Sequence, residues 1–447
     1  VPVILLDTNL DQNDPADREL TDRLYGGDER YRLKQEVILG IGGTRLLQAL
    51  GFEIQTYHLN EGHAALLTLE LLRRYPHPAG HRSANSSRYD EDRVLEHCLF
   101  TTHTPVEAGH DRFDYPLVES VLDGFIEFDE LRRYAGEADC NLTRLAFSLS
   151  GYVNGVAKRH ARTTQQLFPG YSVHAITNGI HARNWTHPAL VRLFDETMSD
   201  WSIEPDILVS ADQMDDQALR SAKSRAKDDL IALIKARTGQ TLDSDLPIIA
   251  FARRMTGYKR PLLILSDLDR VRGIAERRPF QLVWAGKAHP ADIDGKNIIH
   301  QIHLASEALA GAVQSVFVPD YGLEVAAALV AGADIWLNTP RPPMEASGTS
   351  GMKAALNGTL NFSVLDGWWI EAWIEDVTGW SIGEDGPASD SEHASSLYDK
   401  LENKILPRFF DDQPKWAWMM KEAISKIGSR FNSQRMMRRY TTDAYLR

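Results

Sequence analysis

From residue 247 onward the chain sets short apolar runs between longer helical stretches: PIIAFARR (247–254), FQLVWAG (280–286), SVFVPD (315–320) and ADIWLNT (333–339). Each run has strand length and is apolar at consecutive positions. A strand of that kind is buried on both faces, which calls for a parallel sheet covered by helices on each side. MDDQALRSAKSRAKDDLIALIKART (214–238) reads as a long charged helix before the series. The N-terminal half offers VPVILLDT (1–8), FEIQTYHL (52–59) and CLFTTHT (98–104) as strands. Helix-spaced apolar positions run through 14–24, 29–50 and 64–74. The polar stretches 76–89 and 385–393 read as loops. The expected fold class is α/β, with two units joined near residues 185–215 and a cleft between them. Ligands in such sheets sit at the carboxyl ends of strands.

Size and charge bound the function. The 447 residues, 43% hydrophobic, suffice for two or three cores. Lys and Arg total 49 against 62 Asp and Glu, a net charge of −13, which makes the chain a poor candidate for nucleic-acid or anionic-membrane binding. No apolar run reaches the roughly 18 residues of a membrane span. Cys98 and Cys140 cannot build a disulfide framework and fit a reducing cytoplasm. The first residue is Val, inside a strand-like run, so further sequence upstream is expected.

The motifs with chemical content fall near strand ends. In PMEASGTSGMKAALNGTLNFSVLDGWW (343–369), small residues Ser347 to Gly351 let backbone N–H groups point at an anion, and a helix start adds a favourable field. Lys353 follows in the first helical turn, where a partly desolvated amine can condense with an aldehyde. The same spacing also fits a plain Gly/Ser helix cap with a solvated lysine. FARRMTGYKRPLLIL (251–265) places Arg253, Arg254, Lys259 and Arg260 together, which suits a phosphate site or a solvated basic helix start. Lys287 could add a further cation. HLNEGH (58–63) and TTHTPVEAGHDRF (101–113) gather His58, Glu61, His63, His103, Glu107 and His110. Their spacing matches no helical zinc motif, so no metal is expected, and hydroxyl-binding roles are preferred. Asn178, in ITNGIHARNW (176–185), is either a hydroxyl-binding amide or part of an ordinary Asn-Gly turn.

Taken together, EASGTSGMKAALNG (345–358), RRMTGYKR (253–260), TNGIHARNW (177–185), LNEGHAAL (59–66), TTHTPVEAGHDRF (101–113) and YRLKQEVILGIGG (31–43) resemble the glycogen, starch and maltodextrin phosphorylases, most closely the short bacterial branch. The resemblance runs through the whole chain. It implies a GT-B fold, two Rossmann-like domains facing across a cleft: an incomplete N-terminal domain (1–190), a cofactor- and phosphate-binding domain (191–425), and a C-terminal helix (426–447) packing back on the first. It implies phosphorolysis of α-1,4-glucan ends by inorganic phosphate to glucose 1-phosphate, with retained configuration. Pyridoxal 5'-phosphate would be held by Lys353 through a Schiff base, and its phosphate rather than its ring would serve the reaction.

Carried over residue by residue, the resemblance gives Arg254 and Lys259 to the substrate phosphate. Arg253 stands where the muscle-type motif has lysine, and contacts the cofactor phosphate. Thr349 and the Ser350 backbone cap that phosphate, and Tyr321 lies beside the cofactor. Glu345, Ser347 and Gly348 bind hydroxyls of the transferred glucose, with Asn178, His103 and Tyr258 completing the pocket. Glu61 and His63 take the places of an Asp and a His near the mouth of the site. A glycine-rich loop that the family carries upstream is absent from this sequence, so weak activity of the chain alone, or association with a separate N-terminal fragment, is expected beside the family's usual homodimer. The competing expectations are a nucleotide-sugar-dependent GT-B glucosyltransferase, which needs no Lys353, and a non-catalytic glucan-binding fragment.

Overall fold

The computed structural model describes every residue except 1, 25, 78–86, 107–108 and 291. The chain divides into two compact units. Unit 1 holds Val1–Val156, His160–Ile176 and Thr441–Arg447; unit 2 holds Ala157–Arg159 and Thr177–Tyr440. The bounds expected from sequence were 190 and 426.

Unit 2 is built on a six-stranded sheet in which every neighbouring pair is parallel. Across the sheet the order is Gly379–Ile382, Leu360–Val364, Ile335–Asn338, Ile248–Ala252, Gln281–Ala285, Gln314–Val318. The chain begins at Ile248–Ala252, adds two strands on one side, then crosses back and adds three on the other. That is the doubly wound order, and it opens a crevice where the direction reverses, between Ile248–Ala252 and Ile335–Asn338. The continuous apolar runs serve two cores. Ile249, Phe251, Leu282, Trp284, Ile335 and Leu337 pack into one face, while Ile248, Ala250, Val283, Ala285 and Trp336 pack into the other. Strand geometry sends successive side chains to opposite faces, so a two-sided sheet needs both sets.

The helix expected at 214–238 spans Asp216–Thr238. The Asp215 carboxylate accepts the Ala218 N–H at its start, and left-handed Gly239 ends it. Its partner helix Leu323–Gly332 approaches so closely that a Cβ on Gly332 would lie 2.5 Å from Leu230 Cβ and 2.6 Å from the Ala226 carbonyl. Between these elements Lys223 is buried. Its Nζ donates to the carbonyls of Ala331 (2.6 Å), Ala333 (2.7 Å) and Asn357 (3.3 Å) and to Thr359 Oγ1 (2.5 Å).

Unit 1 carries a four-stranded parallel sheet ordered Tyr57–Asn60, Cys98–Thr102, Tyr152–Gly155, His174–Ala175. Leu33, Leu59, Leu66, Phe100 and Phe147 are among its buried core residues. The run VPVILLDT is not a strand: residues 2–10 have no strand assignment, and Val3 and Leu5 are 84% and 87% exposed. Apolar content makes a strand only where a neighbour supplies ladder hydrogen bonds, and none of the described strands pairs with this segment. The helix expected at 14–24 shrinks to Pro15–Arg18, and 29–50 is helical through a π-turn at Ile38–Gly42. Leu360–Val364 carries the buried polar residues Asn361 and Ser363, which hide its strand character in the sequence. Among the described residues no helix is long and apolar enough to cross a membrane.

Lys223→Met should lower unfolding free energy by about 1–3 kcal/mol in urea titrations, because buried backbone carbonyls at the helix end lose their Nζ donor. An unchanged midpoint would show that these bonds contribute nothing net.

Candidate functional site

The crevice at the strand reversal is where the sequence motifs of unit 2 meet. Strand Ile248–Ala252 ends directly at Arg253 and Arg254, and Ile335–Asn338 leads through residues 339–349 into helix Ser350–Leu356. Glu345, from the second of these loops, is shared by two cations from the first. Its Oε2 accepts Arg253 Nη2 at 2.7 Å and Lys259 Nζ at 2.5 Å. All three side chains are about nine-tenths buried. Burial alone would push the Glu345 carboxyl up, but Arg253 and Lys259 outweigh it and hold it below the usual range. Burial, with Arg253 next to it, brings Lys259 down to about 8. Lys259 Nζ also stands 4.6 Å from the centre of the Tyr258 ring.

Several polar atoms here are buried and unpartnered: Arg253 Nε and Nη1, Thr256 Oγ1 and Ser347 Oγ. Buried donors of this kind are costly unless a ligand or water meets them. Arg254 is exposed, and among the described residues no carboxylate pairs with it. Tyr321 follows strand Gln314–Val318; burial raises its phenol, and Arg253 pulls the other way. Lys287 is exposed, and its carbonyl accepts the Met255 N–H at 3.0 Å.

Thr349 precedes the helix without a side-chain capping bond, and the Ser350 hydroxyl accepts Trp336 Nε1–H at 3.1 Å. Lys353 is the fourth residue of a seven-residue helix, one position beyond the first turn. Its Nζ lies 3.7 Å from the centre of the Trp185 ring, and no described carboxylate pairs with it. Burial lowers its pKa, which enlarges the neutral, nucleophilic fraction. Asn178 sits in a turn pinned by its backbone: its carbonyl and that of Thr177 accept Arg435 Nη2 (3.0 Å) and Nη1 (2.6 Å).

In unit 1, two of the sequence-selected groups lie at the carboxyl ends of adjacent parallel strands. Glu61 has φ 67° and ψ 174°, a region that glycine alone adopts readily and that costs of order 1–3 kcal/mol. Its carboxylate accepts the His103 N–H (2.7 Å) and Thr104 Oγ1–H (2.9 Å), which offsets that strain. His103 Nε2 bonds Asn60 Oδ1 at 2.7 Å, and burial lowers its pKa. His58 sits between Thr101 Oγ1 and the Tyr445 hydroxyl, both at 2.7 Å. His110 Nδ1 meets Thr143 Oγ1 at 2.9 Å. Glu107 lies outside the described residues.

His63 belongs to a separate cluster that sequence reasoning missed. Its Nδ1 approaches Glu36 (3.2 Å) and Asp111 (3.3 Å), and Arg32 Nη2 donates to the same two carboxylates at 3.1 and 3.2 Å. Glu36, His63 and Asp111 offer ligand atoms within 4.8 Å of one another. With Arg32 already bonded to both acids, the arrangement is a balanced four-charge network. Hydrogen bonds to Asp111 and Glu36 raise His63 to about 10. Glu36 and Asp111 stood inside quoted motifs, but their spacing in sequence carried no sign of pairing.

A parallel, doubly wound sheet with a basic, lysine-bearing crevice at its reversal point defines a class of anion-handling α/β domain. Residues 124–379 match the family described as Carbohydrate phosphorylase, and the chain belongs to that family. It is 37% identical over its full length to the Maltodextrin phosphorylase of Thermococcus litoralis, covering 57% of that protein. It is 34% identical to the Glycogen phosphorylase of Aquifex aeolicus, over 99% of this chain and 70% of the relative. It is 33% identical over its full length to the Glycogen phosphorylase of Mycobacterium tuberculosis, covering 58% of it.

The raised His63 pKa yields a signed expectation. A partnered histidine contributes stability that is full below its unfolded value near 6.5 and is lost as pH rises toward about 10. The His63 ring should therefore remain protonated at pH 8 in an NMR titration, and His63→Gln should flatten the fall in Tm between pH 7 and 10. Titration of the ring near 6.5 would contradict the network.

Proposed function

We propose that this chain carries the phosphate- and cofactor-handling machinery of an α-1,4-glucan phosphorylase, which releases α-D-glucose 1-phosphate from non-reducing ends with retention. The observation that carries this reading is the Lys353 amine, desolvated and with no carboxylate partner among the described residues, in the same unit as the cations Arg253, Arg254 and Lys259. A nucleotide-sugar transferase does not need a lysine that condenses with an aldehyde cofactor. Family membership and the names of the relatives point the same way.

Pyridoxal 5'-phosphate fits this donor set. A lysine with no described carboxylate partner and a pKa lowered by burial suits an aldehyde, and Arg253 Nε and Nη1, unpartnered among the described residues, suit a buried anion. Lys353 would hold the cofactor covalently. Arg253, Thr349 and the Ser350 backbone would hold its phosphate, with Tyr321 alongside. When bound, the cofactor supplies a phosphate able to exchange a proton with the substrate phosphate.

The chain's own residues then have separable tasks. Arg254 and Lys259 bind inorganic phosphate, Arg254 as a forked donor and Lys259 as a point charge. Glu345 is held ionised between two cations, so it accepts sugar hydroxyls and does not deliver the proton. Ser347, Gly348, Asn178 and Tyr258, all in unit 2, complete the sugar contacts. Glu61 fixes the His103 backbone through its N–H bond. His63, tied into its charge network, keeps the adjoining loop in place. No paired protein carboxylates of the glycosidase kind are needed. Transition-state charge is met by fixed cations in a partly dry crevice.

Borohydride reduction of cofactor-loaded protein, followed by peptide mapping, should place the label on Lys353; a label on another lysine refutes the assignment. Arg254→Ala and Lys259→Ala should each lower phosphorolysis of maltodextrin by roughly 10²–10³-fold. Arg254→Ala should leave cofactor content unchanged. Near-normal turnover in either variant removes that residue from the phosphate site.

A further inference from the structure

Just past strand Leu360–Val364 the chain turns through Leu365, Asp366, Gly367 and Trp368, a segment given no task so far. This turn is bonded to the 345–348 loop in both directions. Asp366 Oδ2 accepts the Glu345 N–H at 2.9 Å, and the Trp368 N–H donates to the Ser347 carbonyl at 3.0 Å. Asp366 Oδ1 accepts the Gly367 N–H at 2.9 Å, so the carboxylate is also fixed from its own side. Asp366 is only 2% exposed.

The fit is too close for a side chain at position 367. Gly367 has φ 54°, and a Cβ there would lie 2.4 Å from the Ser347 oxygen and 3.1 Å from that of Glu345. The Trp368 ring covers the rest of the loop: a Cβ on Gly348 or Gly351 would meet it at 3.5 and 2.8 Å. A loop rich in Gly and Ser has large backbone freedom to lose on ordering. Glu345 nonetheless has to reach Arg253 and Lys259 at 2.7 and 2.5 Å.

We propose that Asp366 is a positioning residue: by holding the Glu345 amide it sets the 345–348 loop, and with it the alignment of Glu345 on Arg253 and Lys259 and of Ser347 and Gly348 on the sugar. The sugar part rests on the function proposed above. The charged groups acting on Asp366 are Glu345 across the loop and Arg159. Arg159 Nη1 donates to the Leu365 carbonyl at 3.0 Å, and its Nη2 pairs with Asp385 at 2.6 Å. Burial pushes the Asp366 carboxyl up to about 7 from an ordinary 3.8. Ionised, it accepts both N–H groups with full charge; protonated, it loses the charge-assisted part of both bonds. The grip therefore tightens as pH rises through about 7. Stability runs the other way: across about pH 4 to 7 the folded chain retains a proton that the unfolded chain has lost, so this group's contribution falls as pH rises.

Amide hydrogen exchange and kinetics on the cofactor-loaded full chain test the proposal. In Asp366→Ala, exchange at the Glu345 amide should speed up at least tenfold, while peptides from strands 335–338 and 360–364 stay protected. KM for glucose 1-phosphate should rise at least tenfold more than kcat falls. Asp366→Asn keeps a carbonyl acceptor but cannot titrate. It should match wild type closely at pH 6, where the carboxyl is protonated, and the wild-type-to-variant ratio of Glu345 exchange should fall between pH 6 and 8 as the wild-type grip tightens. Unchanged Glu345 exchange in the Ala variant overturns the proposal. If that variant does not fold, a pH-independent ratio for the Asn variant overturns it instead. The exchange arm needs no substrate, so a wild-type chain without phosphorolysis would count against the functional reading alone.

Discussion

One carboxylate shared by two cations organises unit 2. Glu345 is buried between Arg253 and Lys259, and none of the three would be tolerated there alone. Moving ions of this size out of water costs several kcal/mol each, and only close mutual contact repays it. The contact exists because two loops, separated by more than eighty residues of sequence, leave adjacent strands at the same edge. Parallel pairing of Ile248–Ala252 with Ile335–Asn338 puts both carboxyl ends together, and the strand order reverses at that pair. The sheet therefore creates the crevice, and the ion triad sets the charge within it.

The same logic recurs on a smaller scale in unit 1. Tyr57–Asn60 and Cys98–Thr102 are parallel neighbours, so Glu61 and His103 emerge side by side. Glu61 takes an unfavourable backbone conformation to turn its carboxylate onto the His103 amide. In each unit an acid from one strand end holds backbone or cations from the next. Desolvated polar groups meet at these edges, while apolar cores lie beneath them. Lys223 shows that a buried amine can also be purely architectural: its partners are carbonyls and a hydroxyl, and it gathers the ends of two elements.

Much of this was legible in the sequence. Consecutive apolar residues at 248–252, 282–285 and 335–337 are the mark of strands buried on both faces, and Asp215 and Gly239 bracket the long helix as cap and stop. Lys353, the 253–260 cations and Glu345 stood in recognisable segments. The less legible elements have clear reasons. Leu360–Val364 hides behind buried Asn361 and Ser363, and VPVILLDT has the composition of a strand but, in its described residues 2–8, pairs with none of the described strands.

By itself, the sequence determined the long helix and most strands of unit 2, the loops that follow those strand ends, and which residues could serve an anion, because these depend on periodicity and on chemistry carried by each residue. Only the tertiary structure decided the partners: Glu345 with Arg253 and Lys259, Asp366 with the Glu345 amide, and His63 with Glu36, Asp111 and Arg32. Those pairings bring together residues distant in the chain, and they depend on strand order and on how much water each carboxylate has lost. Neither quantity is written in local sequence, which is why the charge state of a group such as Asp366 becomes definable only once the fold has closed around it.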